Sequence, residues 1–150
     1  MAIATTERYE ELIVEVEFDP VGASGTYTSI CGLKDATITR QSNVDTEEVG
    51  DCSDESLPFV VTKSVRSIEM MISGTGTWAQ ESHSKMLTWW RGASTLNVRV
   101  KNTAVASGHI EIEAGDAFLT RLNNQRTKGK VVSADIQIEF ETLPTTTNKS

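Results

Sequence analysis

Alternation of apolar and charged residues constrains this chain more than any other feature of its sequence. The alternation is clearest in Leu12–Asp19, Leu96–Lys101 and Ala134–Glu141, where every second residue is apolar and most of the others are charged. A period of two places one set of side chains in a core and the other in solvent. These three segments are therefore predicted to be half-buried β-strands.

Further strands are predicted between these segments. Leu33–Asn43 carries β-branched residues, which favour a strand. Phe59–Gly74 is predicted to form one long strand or two shorter ones, and Gly74 and Gly76 are predicted to end it. His109–Glu113 is a short alternating strand, and Gly115–Leu122 continues the sheet after a bend. Strands in runs, without helices between them, favour antiparallel pairing. The predicted class is mainly β, an antiparallel sandwich or barrel with one short α-helix packed against it.

The one predicted helix covers Ser82–Gly92. Its apolar residues recur at helical spacing and form a single stripe, which is typical of a short helix lying on a sheet. The predicted core residues of the helix are Met86, Leu87, Trp89 and Trp90.

The length of 150 residues fits one domain with a single core, here assigned to residues 1–144. Residues 45–60 lack periodicity and are strongly acidic, so they are predicted to be an extended loop. Residues 145–150 are polar and are predicted to form a flexible C-terminal tail. The acidic side chains assigned to the loop are Glu47, Glu48, Asp51, Asp54 and Glu55.

The charge balance excludes some function classes. Fourteen basic and 21 acidic residues give a net charge of 14 − 21 = −7, whereas proteins that grip nucleic acid phosphates need a basic patch. The chain has no apolar run long enough for a membrane span, and its first ten residues lack the apolar core of a signal peptide. Synthesis and assembly in the cytoplasm are therefore expected.

The residues that carry most enzymatic and metal chemistry are few and scattered. His83 and His109 lack partners at metal-ligand spacing, and nothing in the sequence places a base beside Cys31 or Cys52. Both cysteines are expected to be reduced thiols. We expect no metal, no cofactor and no catalytic activity.

Three stretches, in this order, resemble the tail tube protein family of long-tailed bacteriophages. Cys31–Asp51 is a strand that leads into an acidic segment, and Ser67–Trp90 is a long strand that ends at a Gly-Thr-Gly turn before a helix. Gly115–Leu143 resembles the closing hairpin of the family, with a strand reading GDAFLT, a turn, and an alternating last strand. The last strand of the family often closes on glycine, whereas this chain has Glu141–Pro144 there.

The resemblance implies a sandwich-like subunit that forms homo-hexameric rings. Stacked rings would form a hollow tube through which double-stranded DNA passes without specific binding, and the subunit would belong to the virion tail. The segment 45–60 would reach a neighbouring ring. The resemblance also implies contact with a tape-measure protein and with tail terminator or tip proteins. The same fold serves contractile tails and type VI secretion, so it does not distinguish these systems.

An acidic inner wall would suit such a tube, because carboxylates repel DNA phosphates. The sequence does not distinguish the lumen from the outer surface for any one residue. The candidate lumen-facing residues are Asp35, Glu69, Glu111, Glu113, Asp135 and Glu139.

Two alternatives stay open at this stage. One is a related tail part, namely a tube-tip, adaptor or terminator protein, which would form a single ring that never stacks. The other is a β-barrel or sandwich that binds a ligand, which would need an apolar pocket with a few polar groups.

Overall fold

The architecture is one antiparallel β-sheet with one helix, seen in a computed structural model that describes residues 3–30 and 32–150. A short 3₁₀ helix, Tyr9–Glu11, precedes the first strand. The elements in chain order are β1 (Leu12–Val16), β2 (Thr28–Ser29), β3 (Leu33–Val49), β4 (Val60–Thr77), α1 (Gln80–Gly92), β5 (Leu96–Asn102), β6 (Ile110–Gln125), β7 (Ser133–Phe140) and β8 (Thr145–Asn148).

The strands pair in the order β2-β1-β5-β6-β7-β4-β3, and β8 pairs with β6. Within the described residues this path is open, with β2 at one end and β3 at the other. Contacts between parts that are distant in this strand order show that the sheet is curled. Arg40 of β3 forms an ion pair with Glu113 of β6, and the Tyr9 hydroxyl donates to the Leu33 carbonyl at 2.9 Å. The predicted class, mainly antiparallel β with one short helix, is confirmed.

The core lies inside this curl and combines inward residues of the alternating strands β1, β5 and β7 with residues of β4, β6 and α1. At its centre, Ile72 of β4 pairs with Ile38 of β3 on one side and with Ile138 of β7 on the other. On the opposite wall, Val100 of β5 pairs with Val14 of β1. The fully buried members by size are Ile72, Met86, Ile136, Ile138, Val16 and Val98.

Two glycines allow β3 and β4 to approach each other closely. A Cβ atom at Gly76 would lie 2.1 Å from the Gly32 carbonyl oxygen, and one at Gly74 would lie 2.5 Å from a Leu33 methyl carbon. Neither glycine ends β4, which continues to Thr77. The prediction that they stop the strand is therefore wrong, because their role is to make room for the neighbouring strand.

The prediction of a loop over residues 45–60 is wrong at both ends. Strand β3 continues to Val49 and β4 begins at Val60, so that only residues 50–59 connect them. Glu47 pairs with Thr62 and Glu48 with Val61 in the ladder. The sequence pattern missed this part because both faces of the ribbon are exposed, and alternation arises only where one face is buried.

The prediction of a flexible tail over residues 145–150 is wrong for residues 145–148, which form β8. Thr145 pairs with Ala114 and Asn148 with Ile110, along the edge of β6 that β7 also uses. Pro144 is buried, and a Cβ atom at Gly115 would lie 3.2 Å from its Cα atom. Glu141–Pro144 is thus a kink that carries the chain from β7 to β8.

Helix α1 contacts β6 and closes one end of the core. Met86 and Trp89 are buried, and Leu87 is half-buried. The Trp89 indole donates to the Ser94 carbonyl at 3.1 Å, and its ring meets Phe18 edge-on. The prediction that Trp90 belongs to the core is wrong, since Trp90 is 50% exposed and only Met86 and Trp89 of the stripe point fully inward.

Ile72→Ala should lower the free energy of unfolding by about 2–5 kcal/mol, because it opens a cavity between two paired strands. The matched control is Val61→Ala on the same strand, where the side chain is 51% exposed. In the monomer this control should change stability by less than about 0.5 kcal/mol. Urea unfolding followed by circular dichroism measures both, and equal losses would contradict the assignment of the core.

Candidate functional site

The distal part of the β3–β4 hairpin is the most exposed feature of the molecule, and we call residues 43–67 the arm. At its base, Asn43 pairs with Ser67 and Val44 with Val65, so that Arg66 is an extra residue in a β-bulge. Every arm residue beyond Asn43 is exposed. An isolated two-stranded ribbon is at best marginally stable in water. The arm therefore has the geometry of a segment that is completed by another molecule.

One face of the arm continues the apolar face of the core. Val44 lies six residues beyond Ile38 on β3, which has alternating side chains, so both point to the same side of the sheet. Val65 lies opposite Val44 on this face, and Val61 lies on it opposite Glu48. These three valines are 50%, 58% and 51% exposed. The row is interrupted by the pair Thr46–Lys63. Exposed apolar side chains grouped on one face are typical of an interaction surface.

The tip of the arm, residues 50–59, combines carboxylates with exposed apolar side chains. The Asp51 carboxylate accepts hydrogen bonds from the backbone N–H groups of Ser53, at 2.7 Å, and Asp54, at 3.3 Å. Asp54 in turn accepts from the N–H of Ser56 at 3.0 Å and from its hydroxyl at 2.5 Å. The Ser56 hydroxyl and backbone N–H lower the pKa of Asp54 below its ordinary value. Asp54 therefore keeps its negative charge to lower pH than a free aspartate does.

The five acidic residues that the sequence assigned to an inter-ring loop all lie in the distal part of the arm. Glu47 and Glu48 lie near the end of β3 and point to opposite faces, while Asp51, Asp54 and Glu55 lie in the tip. Cys52 is an exposed free thiol among them. Cys31 lies outside the described residues, so its reduced state stays a prediction.

Four of the six candidate lumen-facing carboxylates lie on one face of the sheet. Asp35 and Asp135 lie on either side of Thr75, Glu139 lies opposite Met71, and Glu69 lies opposite Gln41. All four occupy the face turned away from the core. Asp135 forms an ion pair with Arg121 at 3.0 Å. Among the described residues the other three form none, so this acidic face, made by β3, β4 and β7, carries net negative charge.

Glu111 and Glu113 do not share the acidic face. Glu113 lies opposite Val100, on the core side of β6, where it forms its ion pair with Arg40. Both glutamates line a cleft of about 460 Å³ between β3 and β6. The alternation placed the isoleucines of this strand inward, but Ile110 is 53% exposed. The Arg40 guanidinium allows the reversed orientation, because it compensates the Glu113 charge.

The outer face of β1 and β5, in contrast, is largely neutralised. Arg99 forms an ion pair with Glu15 at 3.1 Å and lies 4.0 Å from the centroid of the Tyr27 ring. The Tyr27 hydroxyl donates to the Asn97 side-chain oxygen at 2.6 Å. Burial, and then the nearby Glu17 carboxylate, raise the pKa of Tyr27. The two outer faces of the sheet therefore differ in charge.

The described residues contain no group of three or more side chains that could hold a metal ion. Within the same residues, no helix has the length and apolarity needed to cross a membrane. The described residues form a surface suited to assembly, with an exposed ribbon, an apolar row along it and a charged face.

Residues 11–146 match the family model described as phage tail tube protein. The chain belongs to the phage tail tube protein family. It is a structural protein of the tail tube of a virion. A search among curated protein sequences gives no match.

Solved structures of tail tubes share the fold of this tail tube protein. The tail of an empty gene transfer agent particle, refined with C6 symmetry, is similar with a TM-score of 0.72 and 13% identity, covering 95% of this chain and 99% of that chain. The SPP1 tail tube is similar with a TM-score of 0.66 and 8% identity, covering 96% of this chain and 81% of that chain.

A third solved structure is the tube terminating cap of the anti-feeding prophage. It has a TM-score of 0.62 and 14% identity, covering 99% of this chain and 95% of that chain. At these identities the likeness extends to the fold alone, so the residues of the arm and of the acidic face have to be understood from this chain itself.

Ser56→Ala should raise the pKa of Asp54 toward that of a free aspartate, because it removes the hydroxyl that stabilises the ionised carboxylate. Ser53→Ala is the matched control, since Ser53 donates to Asp51 through its backbone only. An NMR titration of the Asp54 carboxyl carbon measures the shift. An unchanged pKa in Ser56→Ala would contradict the hydrogen bonding described for the tip.

Proposed function

We propose that copies of this chain close into hexameric rings and that the rings stack into a hollow tube for the passage of double-stranded DNA. The main support for the proposal is the exposure of the arm. Its apolar row extends the core face, and no described residue of the same chain covers it. Burial of apolar surface is the main favourable term in protein association. Contacts that join different surfaces of identical subunits generate closed rings or open filaments.

A ring of six subunits is supported by the similarity of this chain to the subunit of one assembly of known symmetry. The gene transfer agent tail that shares this fold has C6 symmetry. Its chain and this one cover each other almost completely, so a subunit of this shape is compatible with a ring of six. Tape-measure and terminator proteins are proposed as further partners on the resemblance to the family. The proposal assigns no catalytic step to the chain.

We further propose that the acidic face of β3, β4 and β7 lines the lumen. Its four carboxylates, of which one is paired with Arg121, lie together on the face of the sheet that is turned away from the core. Carboxylates repel the phosphates of DNA, so that the wall offers no attractive site at which passing DNA would be held. Glu111 and Glu113 are not included, since they line the cleft instead.

A second candidate is a terminator or cap protein of the same fold. The similarity to a tube terminating cap favours it as the alternative. A terminator would form one ring and present only one surface for stacking. The arm does not separate the two candidates, because either would use it to contact an adjacent ring.

Negative-stain electron microscopy and native mass spectrometry of the purified protein separate these possibilities. Stacked rings about 100 Å wide, the size expected for six domains of this length, with a six-fold mass support the tube. Single rings that never stack would favour the terminator. A protein that remains monomeric at millimolar concentration would contradict both.

Deletion of Glu47–Glu55 should leave the domain folded and prevent rings from stacking. The deleted residues are all exposed, and shortening a connection changes its closure entropy only slightly. Circular dichroism should show an unchanged β-spectrum, and electron microscopy should show unstacked particles. An unfolded variant, or tubes like those of the wild type, would contradict this role of the arm.

A further inference from the structure

A basic turn lies between β6 and β7 in this acidic protein. From Ala117 to Ala134 the sequence has no acidic residue, while it has four basic ones. Arg121 is ion-paired with Asp135, and the remaining three are Arg126, Lys128 and Lys130. Within residues 3–30 and 32–150 these three form no ion pair. We call residues 126–131 the basic turn.

The backbone holds the basic turn in a defined shape. The Lys130 N–H donates to the Thr127 carbonyl at 3.1 Å, and Gly129 has a φ of 82°. This combination is a β-turn that requires glycine at its third position. Lys128 therefore lies at the outer corner of the turn. Val131 ends the basic turn and is 73% exposed, so that an uncovered apolar side chain adjoins Lys130.

The tip of the arm has the complementary composition. Its acidic residues are followed by two exposed apolar residues, Leu57 and Phe59, which are 47% and 63% exposed. Residues 45–60 contain six acidic residues and no basic one. Interfaces between proteins commonly have an apolar centre with a polar, charge-complementary rim. The arm tip and the basic turn meet this description as a pair.

The two surfaces lie at opposite ends of the same strand. Val60, at one end of β4, pairs with Val49 beside the tip. At the other end, Thr77 pairs with Ser133, and the Trp78 N–H donates to the Val132 carbonyl at 2.8 Å beside the basic turn. The 18 residues of β4 span roughly 55 Å at the rise of a β-strand. The tip cannot reach the turn of its own chain, but it can reach that of a copy stacked head to tail.

We propose that the acidic tip of each copy docks on the basic turn of a second copy in the adjacent ring. This inference rests on the proposed stacking of rings and names the surface that receives the arm. Repetition of one contact from a tip to the next turn propagates along an axis without closing, as growth of a tube requires.

Charge reversal with rescue tests the docking. Arg126→Glu combined with Lys128→Glu should raise the protein concentration needed for tubes by about tenfold or more, because like charges then face each other. On the arm, Glu48→Lys combined with Glu55→Lys should raise the required protein concentration to the same extent. Asp51 and Asp54 are left unchanged, because their hydrogen bonds order the tip. The variant with all four changes should return to within about threefold of the wild type.

The matched control is Arg8→Glu combined with Arg91→Glu, which makes the same change in net charge at exposed positions outside both surfaces. It should assemble like the wild type. Circular dichroism confirms folding, light scattering gives the concentration required, and electron microscopy distinguishes single rings from tubes. Assembly by the wild type should also weaken as salt rises from 0.1 M to about 1 M, where the Debye length falls to about 3 Å.

Three results would overturn the docking. Reversal at the basic turn could leave tube formation unchanged, the fourfold variant could remain as defective as either pair, or the control could lose assembly as fully as the turn variant. In each case the wild type would still form tubes, so the result would contradict the docking and leave the proposed function intact. A wild type that forms no tubes contradicts the proposed function and the docking together.

Discussion

The ladder between β3 and β4 is the interaction on which the rest of the molecule depends. It begins at Gly76, where the missing side chain admits the backbone of β3, passes through the buried pair Ile38–Ile72, and ends at Val49–Val60 beside the tip. One ladder of backbone pairs, with bulges after Leu33 and at Arg66, thus joins the core to the arm. Because β4 also pairs with β7 over its proximal part, the direction of the arm is fixed by the most buried part of the sheet.

The bulge at Arg66 changes what the two strands present along this ladder. On β4 the core-facing residues are even-numbered up to Ile68 and odd-numbered from Val65 onward, because the extra residue shifts the alternation. Without it, Val65 and Val61 would point to the acidic face. The bulge therefore keeps the apolar row on one side of the ribbon and directs Arg66 toward Asp45, 3.9 Å away.

The sequence predicted the strands that have one buried face and failed where that condition does not hold. Ala134–Glu141 alternates because Ile136 and Ile138 are buried while Gln137 is on the other side, and this strand was located almost to the residue. The arm is exposed on both faces, so nothing selects an alternating pattern in it. Strand β8 consists of three threonines and an asparagine, and its pairing with β6 depends on the kink at Pro144, which no local pattern encodes.

For the charged residues of the candidate site, too, the local sequence pattern predicted some orientations and failed for others. Asp35 and Asp135 could be assigned to an outward face from alternation alone. For Glu113 the decisive partner is Arg40, 73 residues away in the sequence, and a pattern read over neighbouring positions contains no information on such a contact. Likewise, Met86 and Trp90 are one helical turn apart, yet the helix contacts the sheet along too narrow a strip to bury both.

Charge and apolar burial act in opposite directions when copies of this protein come together. Each copy carries a net charge of −7, which disfavours close approach of like surfaces. On the proposed lumen wall the carboxylates face water, where the interaction between unit charges 4 Å apart is only about 1 kcal/mol and is further screened by salt. At the arm, in contrast, contact would remove apolar surface from water and bring opposite charges together. The separation of these two surfaces on one sheet would allow the proposed acidic conduit to be built from subunits that attract each other through the arm.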